Sequence, residues 1–164
     1  MDAPSTPSRY PYGLPTKRMA AAALLLSEDG RLVIVKPWYR EYWLLPGGVV
    51  EADESPRQGC ARETLEELGL ELAPLRLLCV DYTAPTAGNT ESLQFVFWSG
   101  YLSAAQLAAI HLQAEELAEW RLVTPAEAAA LLNPRLARRL PACLAALASG
   151  SSAVYLEDGE EVVS

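Results

Sequence analysis

The chain has 164 residues, 51% of them hydrophobic and 21% charged, which is the balance of one soluble globular domain with a real core. Its formal net charge of −8 repels phosphate backbones and argues against a nucleic-acid binder. It carries no apolar run of the ~18 residues that cross a bilayer and no basic-then-apolar leader, and Cys60, Cys79 and Cys143 lack metal or redox spacing, which fits reduced core thiols in a cytoplasmic protein.

Residues 1–17 hold Pro4, Pro7, Pro11 and Pro15 among serines and tyrosines and read as an extended N-terminal arm. An apolar run from Arg18 to Ser27 reads as a buried strand. Glu28-Asp29-Gly30 is a turn, and Arg31 to Lys36 a second strand of a hairpin. Trp43-Leu44-Leu45 reads as a short strand leading into a loop, Leu45-Pro46-Gly47-Gly48, whose glycines let backbone approach a ligand closely. Ser55-Pro56-Arg57-Gln58 has the pattern of a capping box with proline at the first helical position, and Gly69 suits the position past the end, so a helix is predicted over 56–68. Its inward stripe is read as Cys60, Ala61, Thr64, Leu65 and Leu68.

Strands are predicted from Arg76 to Tyr82 and from Ser92 to Leu102, joined by a polar loop, 83–90. Ser103 opens a short helix to Ile110, and Leu117 to Val123 reads as another strand. Thr124-Pro125-Ala126-Glu127 is a second capping box, for a helix to about Leu132. Asn133-Pro134 opens a third helix through Ala148, with Pro141 placed to break or kink it. Beyond 150, Val154 to Leu156 and Glu161 to Val163 flank Asp158-Gly159, a two-residue hairpin signal. The division is an arm over 1–17, a main domain over 18–150 and a C-terminal β-hairpin tail over 151–164.

The predicted helix over 56–68 carries Glu63, Glu66 and Glu67 on one stripe. Like charges at these spacings destabilise a helix by roughly 0.2–0.5 kcal/mol per pair, and anions in the last turn oppose the helix dipole by about 0.3–1 kcal/mol each. A divalent cation relieves both penalties. Clustered carboxylates are hard oxygen ligands, suited to Mg²⁺, Mn²⁺ or Ca²⁺. Mg²⁺ bridges carboxylates to substrate phosphates, which points to phosphate chemistry. The competing reading of the three glutamates alone is a solvated acidic face.

Gly48, Glu54, Arg62, Glu63, Glu66, Glu67, Gly69 and Leu70 lie at fixed gaps, and in this pattern the segment resembles the Nudix box. Thr64 departs from it, standing where an aliphatic residue is usual. The resemblance implies an α/β/α sandwich with a mixed β-sheet and hydrolysis of a nucleoside diphosphate derivative with Mg²⁺ or Mn²⁺. It implies metal ligation by Glu63, Glu66 and Glu67, with a backbone carbonyl from Gly47. Glu54 and Arg62 would pair to brace the loop against the helix. A further carboxylate is sought beyond the box at Glu115 or Glu116, of which Glu116 joins the catalytic set. The proton acceptor is one of Glu63, Glu115 and Glu116. Relatives are often homodimers.

A nucleotide base has Tyr39, Tyr42, Trp43, Tyr82 and Trp98 as stacking candidates. Pro85 is a weak pointer to ADP-ribose-type substrates; nucleotide sugars, nucleoside triphosphates and dinucleoside polyphosphates are the other candidates. The alternatives are a non-catalytic nucleotide-binding module on the same fold, an isopentenyl-diphosphate-type isomerase, for which no cysteine sits in a supporting motif, and a metal-free structural protein.

Overall fold

The computed structural model of the chain describes residues 14–72 and 75–162. The predicted arm lies outside the described residues up to position 13, as does Val163 of the predicted tail. Two sheets share the centre of the molecule. Strands β1 (Arg18–Ala23), β4 (Gly47–Val49), β5 (Arg76–Thr83), β6 (Ser92–Trp98), β9 (Val154–Glu157) and β10 (Glu160–Glu161) form one, in the order β10-β9-β5-β6-β1-β4. Strands β2 (Leu26–Ser27), β3 (Leu32–Pro37), β7 (Tyr101–Leu102) and β8 (Leu117–Val123) form the other, in the order β7-β2-β3-β8. Both are mixed: β1 runs parallel to β6, β5 to β9 and β2 to β7, and the other pairings are antiparallel.

Helices cover both faces. α1 (Pro56–Leu68) and α2 (Ala104–Ala108) lie on one side, α3 (Pro125–Leu131) and α4 (Pro134–Ser149) on the other. Alternation along the strands divides the core between them. Ala21, Ala23, Leu25, Val33 and Val35 join Cys60 and Leu68 of α1 in one buried cluster. Leu24, Leu26, Leu32 and Ile34 join Ala128 of α3 and Leu140 and Cys143 of α4 in the other. This is the expected α/β/α sandwich with mixed sheets.

The helix starts follow the sequence closely. Ser55 caps α1, Ser103 caps α2 and Thr124 caps α3, each in a reciprocal capping box, and Gly69 closes α1 in the left-handed conformation at φ 68°. α4 runs unbroken through Pro141. α2 stops at Ala108, short of the predicted Ile110.

Three expectations are corrected. The apolar run 18–27 is two strands in different sheets: the chain passes from β1 to β2 through the fully buried Leu24 and Leu25. The run 92–102 divides likewise at Gly100, whose φ of 101° suits glycine. The glycine pair is not a loop, because Gly47 and Gly48 lie in β4, opposite Ala22 and Ala21 of β1. A side chain at Gly47, at φ 139°, would put its Cβ 2.2 Å from the Ala21 carbonyl oxygen, so close strand contact is what demands glycine there.

The C-terminal hairpin extends the larger sheet, with β9 beside β5 and β10 outside it. A buried ion pair fastens it. Asp81 of β5 accepts from the Arg139 guanidinium of α4 and, through its other oxygen, from the Gly159 amide at 3.0 Å, while Arg139 Nη2 donates to Thr83 Oγ1 at 3.0 Å. All three cysteines are free and buried, as expected of core thiols, with Cys79 and Cys143 sulfurs 3.3 Å apart between β5 and α4.

Candidate active site

α1 lies against β1 and β4, and small residues make that approach possible: Ala21 and Ala23 on β1, the two glycines of β4, and Gly59 in the helix. A Cβ on Gly59 would stand 2.9 Å from Glu54 Oε2. The helix thus accepts a mid-helix glycine, about 1 kcal/mol worse than alanine, to admit the Glu54 carboxylate. That unfavourable glycine was the available sequence signal for this contact, and the sequence reading passed over it.

Arg62 is the hub. Its Nε donates to Glu54 Oε1 at 2.9 Å and its Nη2 to Glu54 Oε2 at 3.1 Å, a two-point fork. Nη2 also donates to the Val49 carbonyl at 3.1 Å, tying helix to strand. Glu54 closes its own loop by accepting from the Glu51 amide at 3.0 Å. The Arg62 hydrogen bonds hold the Glu54 carboxyl below the usual range and raise the arginine further. The predicted Glu54–Arg62 brace is present in this geometry. Arg62 Nη1 then donates to Glu63 Oε1 at 2.9 Å and to Glu66 Oε2 at 3.0 Å.

The three helix glutamates differ in setting. Glu66 is half-exposed. Glu63 lies over Gly48, where a Cβ would meet its carboxylate at 2.5 Å, and burial raises its pKa against the opposing Arg62 bond. Glu67 is only 5% exposed. The exposed member of the predicted inner stripe is Leu65, at 47%. Glu67 and Gly59 take the inner positions because Glu67 reaches under β4, where its Oε2 accepts from the Gly47 amide at 2.8 Å. Burial pushes the Glu67 carboxyl up to about 8, with Glu63, Glu116 and Glu66 repelling it further.

Glu116 approaches from another part of the chain. Its charge acts on both Glu63 and Glu67, and its Oε1 accepts from the Tyr39 hydroxyl at 3.0 Å. Its carbonyl accepts from the Trp38 amide at 3.1 Å, and the Trp38 indole N–H donates to the Ala114 carbonyl at 2.9 Å. Glu115 is exposed. Of the aromatic candidates, Trp43 is buried under the Arg121 guanidinium and Trp98 packs against the α4-side core. Tyr82 bonds Glu91, while Tyr39 and Tyr42 are exposed.

Among the described residues, no three His, Cys, Asp or Glu side chains stand together as a ready metal cage; Glu63 and Glu66 are turned onto Arg62 instead. The donor set nonetheless fits a hard divalent cation. Glu54, Glu63 and Glu66 share a single guanidinium, Glu67 is buried with one amide donor, and the oxygens are of the kind Mg²⁺ takes. A cavity of about 690 Å³ elsewhere, lined by Pro85, Arg135, Arg138 and Asp158 among others, holds none of these glutamates.

The β4–α1 unit of the sandwich gathers Glu54, Glu63 and Glu66 on Arg62 and buries Glu67 beside them. Residues 16–143 match the family model of the NUDIX domain, and the chain belongs to the Nudix family. It is 35% identical over 121 residues, 69% of this chain and 60% of the relative, to an uncharacterized Nudix hydrolase of Pseudomonas aeruginosa. It is 29% identical over 120 residues, 71% of this chain and 63% of the relative, to an ADP-ribose pyrophosphatase of Bacillus subtilis. The chain thus spans less than two thirds of the length of either relative. The crystal structure of a MutT protein from Methanosarcina mazei superposes with a TM-score of 0.67 at 24% identity, covering 79% of this chain and 94% of that one, a likeness of fold.

Proposed function

We propose that the chain hydrolyses the diphosphate linkage of a nucleoside diphosphate derivative, by attack of water on phosphorus, using Mg²⁺ or Mn²⁺. Glu63, Glu66 and Glu67 would hold the ion, with the Gly47 carbonyl at the edge. The observation that carries this reading is the excess of anionic oxygen around α1: Glu54, Glu63 and Glu66 share the one Arg62 guanidinium, and beside them Glu67 is buried with no cation paired to it among the described residues. When bound, the ion would neutralise phosphate oxygens and lower the pKa of a coordinated water.

The chain's own residues supply the rest. Glu54 and Arg62 fix α1 against the β4 edge, so the glutamates keep their places as a substrate arrives. The Gly47 amide aims Glu67 and the bare Gly48 gives Glu63 its position. Glu116, oriented by Tyr39 and contributed from outside the helix, is the candidate proton acceptor, with Glu63 the other. The diphosphate class agrees with the ADP-ribose pyrophosphatase name of the Bacillus subtilis relative. Homodimerisation and a cytoplasmic setting are further parts of the proposal; among the described residues no helix is long and apolar enough to cross a membrane.

The test is incubation with Mg²⁺ or Mn²⁺ and a panel of nucleoside diphosphate compounds in ¹⁸O-labelled water. Labelled monophosphate product is the expected result and identifies the phosphorus attacked. Tight binding without turnover across the panel supports the non-catalytic module instead.

A further inference from the structure

Trp38 and Tyr39 stand at the rim of the carboxylate site as the two most exposed large hydrophobic side chains among the described residues, at 66% and 64%. Exposure of this kind usually leaves a side chain free to swing. Here both polar tips are tied inward: the indole N–H bonds the Ala114 carbonyl at 2.9 Å and the phenol bonds Glu116 at 3.0 Å. What remains outward is ring surface alone, held in place beside the segment that delivers Glu116. The entropy of fixing a stacking partner is therefore already spent before a ligand arrives.

We infer that Trp38, with Tyr39 beside it, is the stacking platform for the aromatic base of the substrate whose diphosphate lies on the glutamates; this rests on the function proposed above. Three observations select that occupant. The Arg40 guanidinium sits 5.4 Å from the Tyr39 ring, so the rim already holds its cation and favours an anionic ligand over a cationic one. Two rings are far smaller than the ~800 Å² per partner of a stable protein interface. The rim is also continuous with the acidic site, because Tyr39 bonds the same Glu116 whose charge acts on Glu67. A base on Trp38 and a diphosphate on α1 are the two ends of one nucleotide. Trp38 is not among the five aromatic candidates of the sequence, Tyr39, Tyr42, Trp43, Tyr82 and Trp98.

The test is calorimetric titration of the full chain in Ca²⁺, with ADP-ribose, UDP-glucose and ATP as probes bearing an aromatic base ring and 5-phosphoribosyl 1-diphosphate as the one free of an aromatic ring. Trp38→Ala is expected to weaken the tightest base-bearing probe about tenfold or more, and to leave the base-free probe within twofold. Trp38→Phe keeps an aromatic face but lacks the indole N–H that holds the ring, and is expected to recover part of the loss and stay weaker than wild type. Three results overturn the inference: unchanged affinity in Trp38→Ala, an equal loss for both kinds of probe, or a Trp38→Phe variant as weak as Trp38→Ala. Failure of the wild-type protein to bind any base-bearing probe also overturns it. A separate titration with Mg²⁺ alone addresses the carboxylates: absence of uptake refutes the metal reading itself, whatever Trp38 does.

Discussion

Adding one methyl group at each of the two adjacent glycines of β4 separates the fold from the chemistry. At Gly47 the new Cβ meets main chain, 2.2 Å from the Ala21 oxygen and 2.6 Å from the Ala22 Cα, at a φ of 139° that side chains avoid. Neither strand can give way without breaking the β1–β4 pairing, so Gly47→Ala should cost about 2–6 kcal/mol. At Gly48 the φ is ordinary and the Cβ meets only the mobile end of Glu63, at 2.5 Å. Ordinary contact begins near 3.4 Å, so that carboxylate must retreat by about 1 Å, giving up its 2.9 Å bond from Arg62. The loss of a partly exposed pair, about 0.2–1 kcal/mol, is offset by the entropy that alanine removes from the unfolded chain, about 0.4–1 kcal/mol. Stability should stay within about 1 kcal/mol of wild type, while misplacing a ligand by about 1 Å lowers turnover about 100-fold. Thermal melts and Mg²⁺-dependent kinetics on both variants test this. Wild-type turnover in Gly48→Ala, or a melt as early as that of Gly47→Ala, refutes the reasoning.

Other expectations follow from the same geometry. Glu66→Gln should melt within about 1 kcal/mol of wild type, since its half-exposed pair with Arg62 is worth little, and lose about 100-fold or more in turnover if it holds the ion; undiminished turnover removes Glu66 from the metal site. In chelator, Glu67 binds its proton more tightly folded than unfolded. Its contribution is therefore full below the ordinary carboxylate range and fades as pH rises through about 8. The wild-type melting temperature should then fall more than that of Glu67→Gln between pH 5 and pH 9, and parallel curves would contradict the burial argument. Asp81→Asn strands the Arg139 charge in the core and should cost about 3–5 kcal/mol in urea unfolding. A loss under 1 kcal/mol means the hairpin is held by other contacts.

What the sequence disclosed and what it hid divide along physical lines. α1 was legible to the residue because its boundaries are local chemistry: Ser55 bonds Gln58 three residues away, and Gly69 turns left-handed on its own φ. The Glu54–Arg62 fork was legible through the resemblance to the Nudix box, which holds both partners within one short segment. Whatever depended on the partner across the core was hidden. Nothing in the apolar run 18–27 says that Leu24 and Leu25 carry the chain from one sheet to another, since both halves are equally hydrophobic. The burial of Glu67 was hidden for the same reason: periodicity places it on a charged stripe, and only β4 overhead makes that position the inside. Trp38 escaped notice because its use depends on Ala114, 76 residues away.

The anionic centre and its rim have different origins in the chain. The side-chain hydrogen bonds of Glu54, Glu63, Glu66 and Glu67 run within residues 47–67, whereas the rim is assembled from 38–39 and 114–116. Replacing the rim segments wholesale would leave the helix brace intact. Sequence change at the rim is therefore uncoupled from the brace that holds the carboxylates.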